Sequence, residues 1–356
     1  MVPVEELPNG RKTSQKVGLL LGPFLFAIVL FLDLDASNPT VTRMAAVAVL
    51  MATWWITDAI PLSATALLPL VLYPLLGIMK TRDCAPIYVN STIFLFIGGF
   101  MIAVTMEKWR LHKRIALWVI RRIGGGPARI ILGYMIAAAL LSMGISNTAT
   151  AFMMEPIALA IILQHEERSG DKACHSVTVA WMLGIANACS LGGMATLVGT
   201  PPNLSFARIF EITFPGAEPI AFGQWLVMAF PITLVMITLV WLLLTRVFFR
   251  FSESFDVDRD VVRREYRALG TMSFEERAVL VVFATTAIGW IFRKDLVLGM
   301  LTIPGWSRLI PRADLIDDAT VAVAMAMILF FIPTRSAEAT GPTVMGVDVF
   351  ARIPWH

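Results

Sequence analysis

Residues 130–163 run for 34 positions with a single charge, Glu155. As one α-helix at about 1.5 Å per residue, that stretch would be about 51 Å long, against a bilayer core of about 30 Å. It must therefore turn. The only polar break is Ser142-Met143-Gly144-Ile145-Ser146-Asn147-Thr148, set between apolar arms at 130–145 and 149–163. Both outer ends carry charge, with Arg121, Arg122 and Arg129 before and His165 through Lys172 after. A hairpin that enters and leaves a membrane on the same face accounts for all of this.

Composition makes the membrane the right solvent. Of 356 residues, 57% are hydrophobic and 15% charged, whereas a soluble domain keeps about 25% charged. Disorder is excluded on the same ground. A net charge of +3 argues against a nucleic-acid partner. Cys84, Cys174 and Cys189 have neither metal-like spacing nor an even count, so neither a zinc site nor a disulfide framework is expected. The first apolar run, 17–32, follows Arg11, Lys12 and Lys16 but ends in Asp33-Leu34-Asp35 rather than at small residues, which reads as a first span and not a cleaved leader.

Further spans are expected at 44–57, 60–79, 90–107, 176–204, 219–249, 278–292 and 319–333. Several are shorter than about 20 residues, which points to broken or re-entrant helices buried in protein or lining a cavity. With the N-terminus inside, 21 basic residues fall on inner segments and 8 on outer ones. That excess places the N-terminus in the cytoplasm of a multi-pass protein of the cell's inner (plasma) membrane. Loop charges that set topology are the reading taken for the basic clusters, ahead of lipid or nucleic-acid binding.

A weak internal repeat pairs AVAVLMATWWIT at 46–57 with AVLVVFATTAIGWI at 278–291, each followed by a span with a proline-marked exit, LVLYP at 70–74 and LFFIP at 329–333. Five complete spans carry the chain from one copy to the other when the hairpin counts as no crossing. An odd number inverts the second copy, the architecture of many secondary transporters. The expected organisation is an N-terminal tail and first span (1–43), a first repeat (44–250) holding the hairpin and a broken helix at 176–210, a linker (251–277), and an incomplete, C-terminally truncated second repeat (278–356).

The hairpin tip has specific chemistry. An arm starting at Ser146-Asn147-Thr148 offers unpaired backbone amides and a positive dipole end. The preceding arm ends near Ser142, whose free carbonyls suit a hard cation such as Na⁺. A second polar break, GGMATLVGTPPNL at 192–204, interrupts the apolar run from Val177 to Leu204. Its two prolines remove amide donors and are expected to unwind the backbone, while Gly199-Thr200 allows close approach of a ligand. Two such breaks in neighbouring segments point to a ligand site.

At these residues the sequence resembles the divalent-anion/sodium symporter family. The matching pieces are ITDAIPLSATALLPLVLYPLLGI (56–78), IFLFIGGFMIAVTMEKWRLHKRIAL (93–117), SMGISNTATAFMMEPIALAI (142–161) and GTPPN (199–203). The resemblance implies an all-α fold of two inverted repeats, each with a hairpin and a broken helix, assembled as a homodimer. It implies Na⁺-coupled transport of succinate, malate, citrate or similar di- and tricarboxylates, or of sulfate. Asn147, Thr148, Thr200 and Pro201 would contact the anion. Ser142, Ser146, Asn147 and Gly199 would hold Na⁺. Lys108 to Arg114 would lie at the cytoplasmic membrane surface.

Two departures stand out. Glu155 occupies a position where the family usually has an apolar residue, which makes it a candidate for proton coupling. The second Ser-Asn-Thr hairpin is absent from the 356 residues, so an inactive half-transporter is an alternative, and an anion exchanger another. An intramembrane hydrolase would need a histidine or paired carboxylates beside a nucleophile at membrane depth. His112, His165 and His175 are expected in loops outside the apolar spans and no span holds two carboxylates, so no enzyme is expected.

Overall fold

The computed structural model describes residues 12–123, 126–169, 174–249, 259–336 and 341–353. Two compact units divide at Asn90/Ser91. The first begins with α1 (Thr13–Phe31) and α2 (Pro39–Thr57). Asn38 caps α2 by accepting from the Thr40 amide, with Pro39 at the first helical position, where its missing N–H costs nothing. Trp54 Nε1 donates to Gly18 O at 3.1 Å across the pair. The expected span at 60–79 is broken at Leu67 into α3 (Leu62–Ala66) and α4 (Leu68–Leu75), followed by α5 (Thr81–Tyr88).

The second unit holds α6 (Ser91–Lys108), α7 (Leu111–Ile123), α8 (Pro127–Ser142), α9 (Asn147–Ser169), α10 (Cys174–Met194), α11 (Pro201–Thr213) and α12 (Phe222–Leu242). A π-helical turn, Leu243–Phe248, extends α12. Then come α13 (Arg259–Ala268), α14 (Phe274–Ile291), α15 (Asp318–Phe331) and α16 (Asp348–Arg352). The only named strands among the described residues, β1 (Leu296–Leu298) and β2 (Leu301–Ile303), form a short antiparallel hairpin between α14 and α15. The fold is that of an all-α polytopic membrane protein. Five segments are long and apolar enough to cross a membrane, and α8, α15 and the apolar part of α9 are shorter apolar helices.

Lipid tails are as apolar as leucine, so helix association in a bilayer rests on close packing of small residues. Where α6 meets α15, a Cβ on Gly98 would come within 2.7 Å of the Ala322 backbone. On α10, Gly184 faces Ile131 and Met135 while Gly192 presses on the Ala139 backbone, so α10 runs parallel to α8 almost backbone to backbone. Large apolar side chains such as Phe152, Ile209 and Val281 point outward.

Two buried ion pairs fasten the ends of the spans. Arg114 on α7 meets Glu276 bidentately, Nε to Oε1 at 3.1 Å and Nη2 to Oε2 at 2.9 Å. Its remaining donors reach the carbonyls of Leu269 and Gly270 that close the α13–α14 turn. Glu276 also completes the cap of α14, taking the Ser273 amide while Ser273 Oγ takes its own. At the other end of α14, Arg293 Nε donates to Asp318 Oδ1 at 2.5 Å, and Asp318 Oδ2 accepts the Phe222 amide that opens α12. At the elbow between α6 and α7, Arg110 has a left-handed backbone, φ 57°, a conformation that favours glycine or asparagine.

Removing one partner of a buried pair strands the other charge, at a cost of about 3–5 kcal/mol. Arg114→Gln and Glu276→Gln should each lower the apparent melting temperature sharply in detergent. The double variant should lose much less than the two losses combined; strict additivity in thermal unfolding would show that the pair is not coupled.

Candidate functional site

The segment 130–163 does turn. Between α8 and α9 lies a four-residue link, Met143–Ser146, and the link sits against the break between α10 and α11. The break differs from the sequence expectation. The prolines do not unwind the chain: Pro201 and Pro202 are the first two residues of α11, with Thr200 as its extended N-cap. The irregular backbone is Ala195–Thr200, ahead of them. Proline's fixed φ suits the first helical turn and its absent N–H is an orphan there anyway.

Side chains tie the two breaks together. Thr196 Oγ1 donates to Met143 O at 2.5 Å and accepts the Gly199 amide at 3.1 Å. Buried Asn203 points Nδ2 at Thr196 O (2.7 Å) and Gly193 O (3.0 Å), taking up carbonyls left free where α10 ends. Trp225 Nε1 takes Met194 O at 3.0 Å. Neither Thr196 nor Asn203 was singled out from the sequence. Asn203 was visible only as an amide in an apolar run, a signal that does not distinguish a ligand contact from a cap.

Of the residues expected to hold a cation, Ser142, Asn147 and Gly199 come together. A Cβ on Gly199 would lie 2.5 Å from Gly193 O and 2.9 Å from Ser142 O, and one on Gly193 would collide with the Asn147 amide. Only glycines leave room for these oxygens to converge. Ser142 Oγ donates to Cys189 O at 2.7 Å and lies 2.5 Å from the Asn147 amide. The Asn147 atom at that distance is Oδ1, so the single Ser142 hydroxyl proton is shared between two acceptors, Asn147 Oδ1 and Cys189 O. Ser146, half-buried, contributes its carbonyl to the Thr150 amide at 2.9 Å. Neutral oxygens of carbonyl, hydroxyl and amide type suit a hard monovalent cation. Among the described residues no cluster of histidine, cysteine and carboxylates could hold another metal.

Of the residues expected to meet an anion, Asn147 belongs to this cluster. Thr148 and Pro201 are exposed and Thr200 half-buried. The first amides of α9 face no helical partner, but the prolines leave α11 with fewer donors. The other side of the tip is unsuited to an anion: Met143 and Gly144 border an apolar cavity of about 590 Å³ with Phe222, Phe283 and Trp290. Glu155 is not part of the cluster. It is exposed on α9, eight residues and so about 12 Å from Asn147 along the helix.

Comparison with known proteins identifies the family. The profile of the family described as the sodium:sulfate symporter transmembrane region matches residues 14–355. A sodium-dependent dicarboxylate transporter, SdcS, of Staphylococcus saprophyticus is 36% identical over 348 residues, covering 96% of this chain and 64% of that protein. SdcS of Staphylococcus aureus strain MRSA252 is 34% identical over 349 residues, covering 96% and 65%. The chain thus spans slightly less than two thirds of the length of these relatives. It belongs to the sodium:sulfate symporter family.

Proposed function

We propose that the chain serves sodium-coupled symport of small dicarboxylates across the plasma membrane, with Na⁺ held by Ser142, Ser146, Asn147 and Gly199. The anion is held by the first amides of α9 with Asn147, Thr148, Thr200 and Pro201. The observation that carries this reading is the convergence of the Ser142 and Gly193 carbonyls with the Asn147 amide around side-chain-free Gly199. The names of the relatives support the dicarboxylate and the Na⁺. Residues 44–250 and 278–356 as inverted repeats, and assembly as a homodimer, rest on the family resemblance. The cytoplasmic N-terminus rests on the charge bias.

Charge arithmetic supports coupling. No lysine or arginine lies within 130–163 or 176–204, yet a dicarboxylate brings two negative charges. A helix N-terminus contributes about 0.3–1 kcal/mol when exposed and about 2 when partly buried. Dehydrating each anionic group costs several kcal/mol. The neighbouring cation supplies most of the difference, so Na⁺ binds first. Glu155, outside this cluster, takes no part in the Na⁺ step.

Succinate binding measured in Na⁺ should exceed that in choline by well over tenfold. Asn147→Ala should remove most of that difference while leaving membrane insertion and monodispersity intact, and Gly199→Ala, whose Cβ would crowd Gly193 O and Ser142 O, should remove it as well. Equal binding in the two salts, or variants indistinguishable from wild type, would refute the assignment.

Topology has its own check. Single cysteines at positions 121 and 172, the second outside the described residues, should react with an impermeant thiol reagent only from the cytoplasmic side. Labelling from opposite sides would mean that the intervening segment crosses once.

A further inference from the structure

The α6–α7 elbow holds an arrangement that the transport reading does not use. A cavity of about 360 Å³ opens between the elbow and the α13–α14 turn, bordered by Lys108, Trp109, Arg110, Thr271 and Glu276. Its charge is unevenly committed. Glu276 is neutralised bidentately by Arg114. Lys108 Nζ, largely buried, lies 3.4 Å from the exposed carboxylate of Asp348. Arg110 has no side-chain hydrogen bond or ion pair among the described residues. One exposed cationic side chain bordering the cavity is therefore left without a protein counter-charge.

Backbone conformation singles out the same residue. Arg110 sits at φ 57°, where glycine would be free of strain and asparagine nearly so. A long cationic side chain kept at a strained position is a pointer to function, in the direction that such inference should run.

Position in the fold selects the guest. Lys108 is the last residue of apolar α6, and Phe274 is the first of apolar α14. The cavity lies at the ends of both, the depth of the headgroup layer. Trp109 stands at the same elbow, its Nε1 donating to Val344 O at 2.9 Å, and tryptophan and basic residues concentrate at the headgroup layer. Basic pockets between spanning helices on the cytoplasmic side bind anionic headgroups.

We propose that this cavity binds the phosphodiester of an anionic phospholipid, seated on the Arg110 guanidinium with Lys108 and the Thr271 hydroxyl beside it. The shared chemistry is a phosphate anion; depth in the fold favours a lipid over a soluble source. The site is independent of the Na⁺ and dicarboxylate assignment, and its test reads lipid retention and not transport.

The experiment is native mass spectrometry of the whole protein released from nanodiscs containing phosphatidylglycerol and phosphatidylcholine, for wild type, Arg110→Gly and Arg110→Lys. Arg110→Gly relieves the left-handed strain, so it should fold at least as well as wild type, and its melting temperature records this. Wild type should retain phosphatidylglycerol selectively, Arg110→Gly should lose about fivefold of that retention, and Arg110→Lys should keep most of it. Equal retention by wild type and Arg110→Gly, or no preference over phosphatidylcholine, would overturn the proposal. Inorganic phosphate is added in a second arm. Thermal stabilisation by phosphate that depends on Arg110, without selective lipid retention, would overturn the headgroup and assign the site to a soluble anion.

Discussion

One amide side chain supports the interior of the second unit. Where α10 ends at Met194, its last carbonyls face protein and not water, and irregular backbone at membrane depth persists only if such groups are satisfied internally. Asn203 does this from the first turn of α11, with Nδ2 reaching Thr196 O and Gly193 O. It closes the gap between two half-helices into a fixed loop. Thr196 passes the constraint on by holding Met143 O, which fixes the hairpin tip in turn. The converging oxygens around Gly199 exist because both irregular stretches are held against each other.

This dependence gives the site a particular asymmetry. The end of α8 and the start of α9 bring Ser142 O and the Asn147 amide against Gly199 and Gly193 beside the break at Ala195–Thr200. The double proline strips donors from the start of α11, so free amides are concentrated at the start of α9. The proposed cation and anion sites would thus divide between carbonyl-rich and amide-rich elements a short distance apart. Small residues pressed together along α8 and α10 keep that separation fixed.

Much of this was legible in the residues before any coordinates. The hairpin followed from length alone, because 34 residues with one charge exceed a bilayer as a single helix. The second break was legible as polarity within an apolar run. Its exact placement was not: a proline pair marks an interruption equally well whether it ends one helix or begins the next, and only the backbone shows that it begins α11. Asn203 was quoted within GTPPN, yet its role depends on which carbonyls lie within about 3 Å, which one sequence does not record. Arg114 and Glu276 each read as ordinary loop charges, because nothing local couples residues 162 positions apart. Glu155 shows the opposite problem, an arresting residue by composition that the fold sets apart from the cluster.

That separation of 162 positions also bears on biogenesis. At roughly 5–20 residues per second of synthesis, Arg114 leaves the ribosome about 8–32 s before its carboxylate partner exists. Over that interval the Arg114 guanidinium lacks the buried counter-charge that Glu276 provides in the folded chain. Closing the pair then ties α7 to the α13–α14 turn. The pair is thus one that only the residues beyond the linker can complete.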